Sequence, residues 1–334
     1  MSPTLSQLQD FELGSSPSVL VVILNWNSPG ETMVAVASVL AMDYSNLSVA
    51  IIENGSSDDS VDKLKTIVNE RVQLVQSPIN LGYTGGCNLG FDLALKSNAD
   101  YVWLFNSDAI TEANTLSSLV RIAEEHRDVG LLSPLIGASN DSQKLVNVAG
   151  TFDPQIPCCK WTKDLKTGQS WLMDHPERVI LLGTALLVRV DLIRKIGGLD
   201  AALFAYWEDT DFSVRSINAG FRNVVDFNSI VYHTEKSASD APHEIKPHFW
   251  YYMARNEIYF WRKHLRGFSR IKVLWWQYTT QLKFLKRLKG NELSRQAILA
   301  GLWHGWLRKT GAYHNAMHMP SYASKLIEAH SERY

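Results

Sequence analysis

The sequence predicts an α/β fold: a doubly wound, mostly parallel sheet followed by a helical, aromatic and basic C-terminal region. Three observations carry this. Between residues 19 and 126, short apolar runs alternate with amphipathic segments, the order that builds βαβ units with right-handed crossovers. The first of these runs, 19–24, is continuous rather than alternating, as in a strand covered on both faces. From about residue 247 the pattern turns helical, and six of the eleven tryptophans lie at or after Trp250.

The elements follow in order. Residues 1–17 read as a loose tail and 19–24 as a buried strand. Met33, Val36, Ala37 and Leu40 recur at helical spacing, so 29–42 reads as a helix. A second strand is expected at 49–52. The capping side chains Ser56, Ser57, Asp58 and Asp59 then precede a helix that carries Val61, Leu64 and Val68. The third strand is 72–75, and 82–97 is a turn and helix. The fourth strand is 101–105, followed by a helix with Leu116, Leu119, Val120 and Ala123 on one face. After Leu131 the pattern changes to strand-like pieces at 145–149, 179–182 and 185–188. A short helix at 191–196 is stopped by Gly197-Gly198, and a longer one at 208–219 by Gly220. Residues 223–225 and 230–233 read as extended, and helices are expected near 247–265, 271–289 and 292–310. The division this implies is a tail at 1–17, an α/β domain at 18–240 with halves at 18–130 and 131–240, and a helical region at 241–334.

Bulk properties narrow the class. The 334 residues suffice for a large core, and the formal net charge is -1. That charge is unevenly spread: after residue 260 there are 14 Lys and Arg against 3 acids. A basic end beside an acidic body suggests an anionic partner, either nucleic acid or a membrane surface. Cys87, Cys158 and Cys159 make no disulfide framework, which fits a reducing compartment. The first 18 residues carry no secretion signal, and nowhere do 18 apolar residues run uninterrupted. The expected location is cytoplasmic, or peripheral on the inner face of the cell membrane.

The chemistry gathers at strand ends, where open α/β sheets bind ligands. The first strand ends in Asn25-Trp26-Asn27 and the second in Glu53-Asn54-Gly55, side chains suited to a pyrimidine edge and a ribose. Asn and Gly also make ordinary strand-to-helix turns. Asn80 to Gly86 opens a helix, whose N-terminal amides favour a diphosphate; a plain glycine turn is the alternative. The spacing is wrong for a GxGxxG dinucleotide fingerprint. The fourth strand stops on Asn106-Ser107-Asp108. Asp108 is an oxygen ligand for a hard cation such as Mg²⁺ or Mn²⁺, whose other ligands would come from a diphosphate, water and His233. Glu208 and Asp209 open a helix whose dipole favours their ionised form, as a general base requires. Neighbouring helical residues diverge by about 100°, so the two cannot address one atom. Together these residues read as sugar transfer from a nucleoside diphosphate.

With these residues assembled, the chain resembles the family 2 glycosyltransferases, the inverting group with a GT-A fold, and among them the bacterial rhamnosyltransferase-like members. The matching stretches are VVILNWN at 21–27, IIENGSSDDS at 51–60, NLGYTGGCNLG at 80–90, WLFNSDA at 103–109, LLGTALLVRVDLIRKIGGLD at 181–200 and YWEDTDFSVRSINAGFR at 206–222. The resemblance implies that Asn25, Asn27, Glu53, Asn54 and Gly82 hold the nucleotide. Asp108 would then be the last acid of a metal-binding DxD motif, with Asn106 in place of the first as a weaker ligand or a ribose contact of the nucleotide. It further implies Asp209 as the base with Glu208 beside it, His233 as a metal or diphosphate contact, and Gly183, Thr184 and Trp207 beside the sugar and acceptor.

The implied activity is metal-dependent transfer of a sugar, with dTDP-rhamnose as the first donor and a UDP-linked hexose or galactofuranose as the alternative. The acceptor would be a glycan or lipid-linked saccharide of cell-surface polysaccharide biosynthesis. The basic tail carries no recognised nucleic-acid motif, so no nucleic-acid partner is expected. A sugar nucleotidyltransferase would want a basic glycine-rich loop after the first strand, and Asn25 to Pro29 is not one. Trp275-Trp276 with Lys283, Lys286, Arg287 and Lys289 suits either a membrane interface, a packed helical subdomain or a homodimer contact.

Overall fold

A computed structural model describes residues 16–153, 158–233, 245–288, 290–314, 317–321, 323–325 and 327. Most of the expected tail and the boundary expected near 240 lie outside the described residues.

The first half is the expected alternation. It runs β1 (Val19–Asn25), α1 (Pro29–Leu40), β2 (Leu47–Asn54), α2 (Ser60–Lys65), β3 (Val72–Ser77), α3 (Gly82–Ser97), β4 (Tyr101–Asn106), β5 (Ala109–Thr111) and α4 (Thr115–Glu125). The second half holds β6 (Val129–Ala138), β7 (Asp141–Asn147), β8 (Ala149–Asp153), β9 (Cys158–Thr162), α5 (Leu165–Asp174), β10 (Val179–Ile180), β11 (Ala185–Arg189), α6 (Val190–Ile196), α7 (Glu208–Asn218) and β12 (Arg222–His233). Three helices follow: α8 (Pro247–His264), α9 (Gly267–Arg287) and α10 (Glu292–Leu307).

The main sheet has the order β3-β2-β1-β4-β11-β6-β12-β5, with β7 on β6. Strands β1 to β4 are mutually parallel, as are β6 and β12, while β11 runs antiparallel to β4 and β6. Side-chain alternation splits β1 between two cores. Val19, Val21 and Ile23 face α1 and α4, whereas Leu20 and Val22 face α3. Each such buried side chain contributes roughly 1.5–3 kcal/mol. Helix α3 lies close on β1 because Gly86 and Gly90 face it: a Cβ on either would come within 2.2 Å of Leu24 or 2.5 Å of Val22. The helices after residue 246 form a third core around Trp250, Tyr251, Phe260, Trp261, Leu282, Leu285 and Ile298.

Several expected elements are drawn differently by the structure. Strand β6 was not foreseen, because Pro134 interrupts an otherwise apolar run. The sheet absorbs the proline through an irregularity in β12: Pro134 faces Asp226, and the next register pair is Leu135 with Ile230. A bulge thus sits where proline has no N–H to pair. The two expected pieces at 223–225 and 230–233 are the two sides of that bulge in one strand. The expected strand at 145–149 is split between β7 and β8, and 179–182 is only the two-residue β10 in a small sheet of order β10-β8-β9. Strand β9 and helix α5 were also not expected.

Where α8 meets α9, Gln281 Nε2 donates to Glu257 at 3.1 Å. Burial pushes the Glu257 carboxyl up to about 8 against opposing pulls from Gln281 and Gln277. The folded chain therefore keeps a proton that the unfolded chain releases near pH 4.5. Stability from this site is full below that pH and is lost as pH rises towards 8. Glu257→Gln is expected to raise Tm by about 2 °C at about pH 8 and to leave it unchanged at about pH 4.5, measured by calorimetry.

Candidate active site

The carboxyl ends of β1, β2 and β4 open onto a cavity of about 620 Å³. The antiparallel course of β11 brings the segment before it to the same edge, since Ala185 pairs with Phe105 and the Asn106 N–H donates to Thr184 O at 2.9 Å. Loop 201–207 and the start of α7 form the facing wall, with Phe204, Tyr206, Glu208 and Asp209. His248 and Tyr252 of α8, with Ala312 and Tyr313, complete it.

On the first wall, Asn54, Gly82 and Asn106 line the cavity. Asn54 is buried and ties two loops together. Its Nδ2 donates to Gly82 O at 3.1 Å and Asn80 Oδ1 at 3.2 Å, and its Oδ1 accepts from Leu81 N at 3.0 Å. Gly82 has φ +74°, and a Cβ there would lie 2.4 Å from Phe204 O, so only glycine fits this contact between the walls. The other expected nucleotide residues are not on the cavity wall. Asn25 accepts from Thr32 Oγ1 at 2.8 Å and donates to Ser56 Oγ at 3.3 Å. Asn27 accepts from Ser57 N, and Glu53 from Ser56 N, both at 2.8 Å. These three stitch the β1 and β2 loops into one edge.

Pairing of β12 with β5 sets His233 opposite Ala109. His233 Nε2 then lies 3.0 Å from Asp108 Oδ1 and 3.4 Å from Asn106 Nδ2. Among the described residues no three His, Cys, Asp or Glu side chains converge. The donor set here is one carboxylate, one imidazole and a nearby amide. It fits a six-coordinate Mg²⁺ or Mn²⁺ that takes its remaining ligands from phosphate oxygens and water.

The acid pair is electrostatically split. Asp209 Oδ2 accepts from Gly183 N at 3.0 Å, and Oδ1 accepts from Thr210 N at 2.6 Å and Thr210 Oγ1 at 3.2 Å. Glu208 Oε2 is buried and finds no partner among the described residues. Burial, then the neighbouring Asp209, push the Glu208 carboxyl up to about 8. Burial raises Asp209 too, but those N–H and O–H donors pull it back. Burial and the neighbouring Asp209 thus favour the neutral form of Glu208, while the donors around Asp209 favour its ionised form. Both side chains line one cavity, although adjacent helical positions diverge.

Gly183 and Thr184 also line the cavity, and the Tyr83 hydroxyl bridges Gly183 O at 3.2 Å and Asn106 Oδ1 at 3.4 Å. Trp207 is not on the cavity wall. Its backbone is left-handed (φ 72°), and its ring packs on Phe260 of α8 at 5.1 Å.

Sequence reading missed how the acids are held. Phe204, Tyr206 and Trp207 all have positive φ, at 65°, 67° and 72°. Side chains of α8 grip this strained segment. Asn256 Nδ2 donates to Leu203 O at 2.9 Å, Ala205 O at 2.7 Å and Tyr206 O at 2.8 Å. The buried Arg255 donates to Leu203 O at 2.7 Å, Ala202 O at 3.2 Å and Gly311 O at 2.7 Å. Asp211, on the next turn of α7, bonds His264 at 2.7 Å and Arg215 at 2.8 Å, with Lys263 also in contact. Burial would raise the Asp211 carboxyl, but His264, Lys263 and Arg215 hold it far below the usual range.

Residues 20–197 match the family described as Glycosyl transferase family 2, and the chain belongs to that family. Among curated proteins it is similar to the galactofuranosyltransferase GlfT1 of Mycolicibacterium smegmatis, 27% identical over 172 residues, 51% of this chain and 56% of that protein. The matches span a little over half the length of the curated relatives. Among solved structures, residues 1–349 of S. aureus TarS in complex with UDP-GlcNAc superpose with TM-score 0.59 at 13% identity, covering 95% of this chain and 89% of that one. GalNAc-T7 with UDP, GalNAc and Mn²⁺ gives TM-score 0.53 at 16% identity, over 66% and 44%. These likenesses establish the fold as GT-A-like, with a helical C-terminal region added.

Proposed function

We propose that the protein is an inverting glycosyltransferase that moves a sugar from a nucleoside diphosphate to a hydroxyl of a saccharide acceptor. The observation that carries this is one cavity walled on one side by Asn54, Gly82 and Asn106 and on the other by Glu208 and by Asp209, whose carboxylate is held by Gly183 N and Thr210. Asp209 acts as base: it takes the proton of the acceptor hydroxyl as that oxygen attacks the anomeric carbon. The bond from that carbon to the diphosphate oxygen breaks on the opposite face, the nucleoside diphosphate leaves, and the centre inverts. Glu208, protonated, donates a hydrogen bond to a substrate oxygen without competing for the proton. A divalent cation held by Asp108 and His233 would supply positive charge to the departing diphosphate. Asn25, Asn27 and Glu53 act on the nucleotide by shaping the edge that Asn54 and Gly82 present. Gly183 and Thr184 flank the sugar, and Trp207 serves the acceptor side by packing beneath the acid loop.

The donor is a pyrimidine nucleoside diphosphate sugar. The rhamnosyltransferase-like motifs favour dTDP-rhamnose; the similarity to GlfT1 favours galactofuranose as a second reading. Residues 18–240 form the catalytic unit, in which 131–240 bring the acceptor, and 241–334 add a wall to the cavity. The acceptor is a glycan or a lipid-linked saccharide met at the inner membrane face. No helix among the described residues is long and apolar enough to cross a membrane. The test is slow hydrolysis of dTDP-rhamnose, UDP-galactofuranose and UDP-GlcNAc by the full chain with Mn²⁺, then with EDTA. Turnover of one donor that EDTA abolishes is expected. Failure of all nucleoside diphosphates to bind would overturn the reading.

A further inference from the structure

Helix α9 carries Arg270, Lys272, Lys283, Lys286 and Arg287 and no acidic residue. Its inward face, with Val273, Leu274, Leu282 and Leu285, packs in the third core. Its outward face is not that of a solvated helix: Ile271 is 66% exposed, Trp275 58% and Trp276 46%. Nearby, α10 ends in Trp306 and Leu307, about half exposed, followed by Arg308 and Lys309. Indoles over lysines and arginines, with no carboxylate among them, are the composition of a surface that sits at a lipid headgroup layer.

Between the end of α8, the start of α9 and the end of α10 lies a groove of about 700 Å³. Ile271, Leu274, Trp275, Tyr278 and Trp306 form its apolar lining, and Arg262 and Arg270 its polar end. Arg262 is anchored by bonds to Gly305 O at 3.2 Å and Trp306 O at 2.7 Å and lies over the Trp306 ring at 5.8 Å. Burial, then Arg308 and Arg270, depress its pKa, so the three cations repel one another. Among the described residues neither Arg270 nor Arg308 has an ion-pair partner. A cluster of like charges thus borders an apolar trough.

We propose that this face docks on an anionic phospholipid bilayer. A phosphate headgroup sits among Arg262, Arg270 and Arg308, an acyl chain lies along the groove, and Trp275, Trp276 and Trp306 stand at headgroup level. Helix α9, about 30 Å long, lies along the surface while its lysines reach the phosphates. The proposal deepens the membrane reading above; it rests on the transferase reading only for its purpose, that of meeting a lipid-carried acceptor.

The test is co-sedimentation of the full chain with vesicles of phosphatidylcholine and of phosphatidylcholine mixed with phosphatidylglycerol. The anionic vesicles are expected to bind about tenfold or more tightly at about 50 mM salt, with most of that preference lost at about 300 mM. Trp275→Ser with Trp276→Ser, or Arg270→Glu, is expected to reduce binding about tenfold, while Lys65→Glu on the distant α2 leaves it unchanged. Donor hydrolysis in the absence of vesicles should be the same in all these variants, because none lines the substrate cavity. A wild-type chain that turns over no donor would therefore speak only against the transferase reading. Equal affinity for the two vesicle types, no binding to either, or a dimer in solution that the tryptophan substitutions dissociate would overturn the docking proposal.

Discussion

Asp209→Asn is expected to lower kcat for sugar transfer by about 10³-fold or more while leaving binding of the nucleoside diphosphate within about twofold. An asparagine can keep the two bonds from Thr210 through its Oδ1 and loses only the one from Gly183 N, which its amide nitrogen cannot accept, so the loop should hold its place. What it cannot do is accept a proton. A carboxylate has about four lone-pair sites, and three are occupied here, which leaves one for the acceptor hydroxyl. Glu208→Gln should behave differently. Burial and Asp209 favour the neutral form of Glu208, so the amide replaces that form nearly isosterically, and kcat should fall by no more than about tenfold. The pH profile separates the two roles. As pH rises through about 8, the wild-type Glu208 ionises beside an anionic donor, and the donor KM should climb. In Glu208→Gln that alkaline rise should vanish. An Asp209→Asn enzyme that still transfers sugar at near wild-type rate, or a Glu208→Gln enzyme as dead as Asp209→Asn, would show that the proton has been assigned to the wrong carboxylate.

The parts of this molecule that were legible in its sequence are those decided by local pattern. Continuous apolar runs identified β1, β2 and β4 because strands covered on both faces need no alternation, and the amphipathic repeat identified α1 and α4. The acids were legible because a helix N-terminus and a strand end are local facts. What was not legible depends on contacts between residues far apart in the chain. Strand β6 hid behind Pro134, whose missing N–H is tolerated only because β12 bulges opposite it. The chemistry of Asn25, Asn27 and Glu53 was legible, but not their partners, since Asn25 and Asn27 are engaged by a loop some 30 residues away and Glu53 by its own turn. The far wall of the cavity comes from His248, Tyr252 and Tyr313, and no motif connects those positions to Asp209. Trp207 illustrates the same limit, since its ring packs on Phe260 of α8, more than 50 residues away in the chain.

Asn256→Ala is expected to lower kcat by about 10²-fold without loosening nucleotide binding by more than about threefold. The segment from Phe204 to Trp207 holds three non-glycine residues at positive φ, each costing of order 1–3 kcal/mol. Such a backbone persists only if its surroundings over-determine it, and Asn256 donates to two of its carbonyls, Ala205 and Tyr206, and to that of Leu203 just before it. Removing them leaves buried acceptors unpaired, at about 1–3 kcal/mol each, and lets the loop relax towards ordinary φ. The loop leads directly into Glu208, so relaxation moves Asp209 relative to the sheet edge, where the donor would remain bound. A displacement of about 1 Å can cost about a hundredfold in rate. Asn256→Asp should be worse than alanine, because it sets a carboxylate against three carbonyl oxygens. Two readouts distinguish positioning from simple loss of fold. Amide hydrogen exchange should rise across 203–211 and stay unchanged in β1 to β4, and kcat should fall at temperatures well below Tm, where the variant is fully folded. If activity instead falls only in proportion to the unfolded fraction, α8 stabilises the chain without positioning its acids.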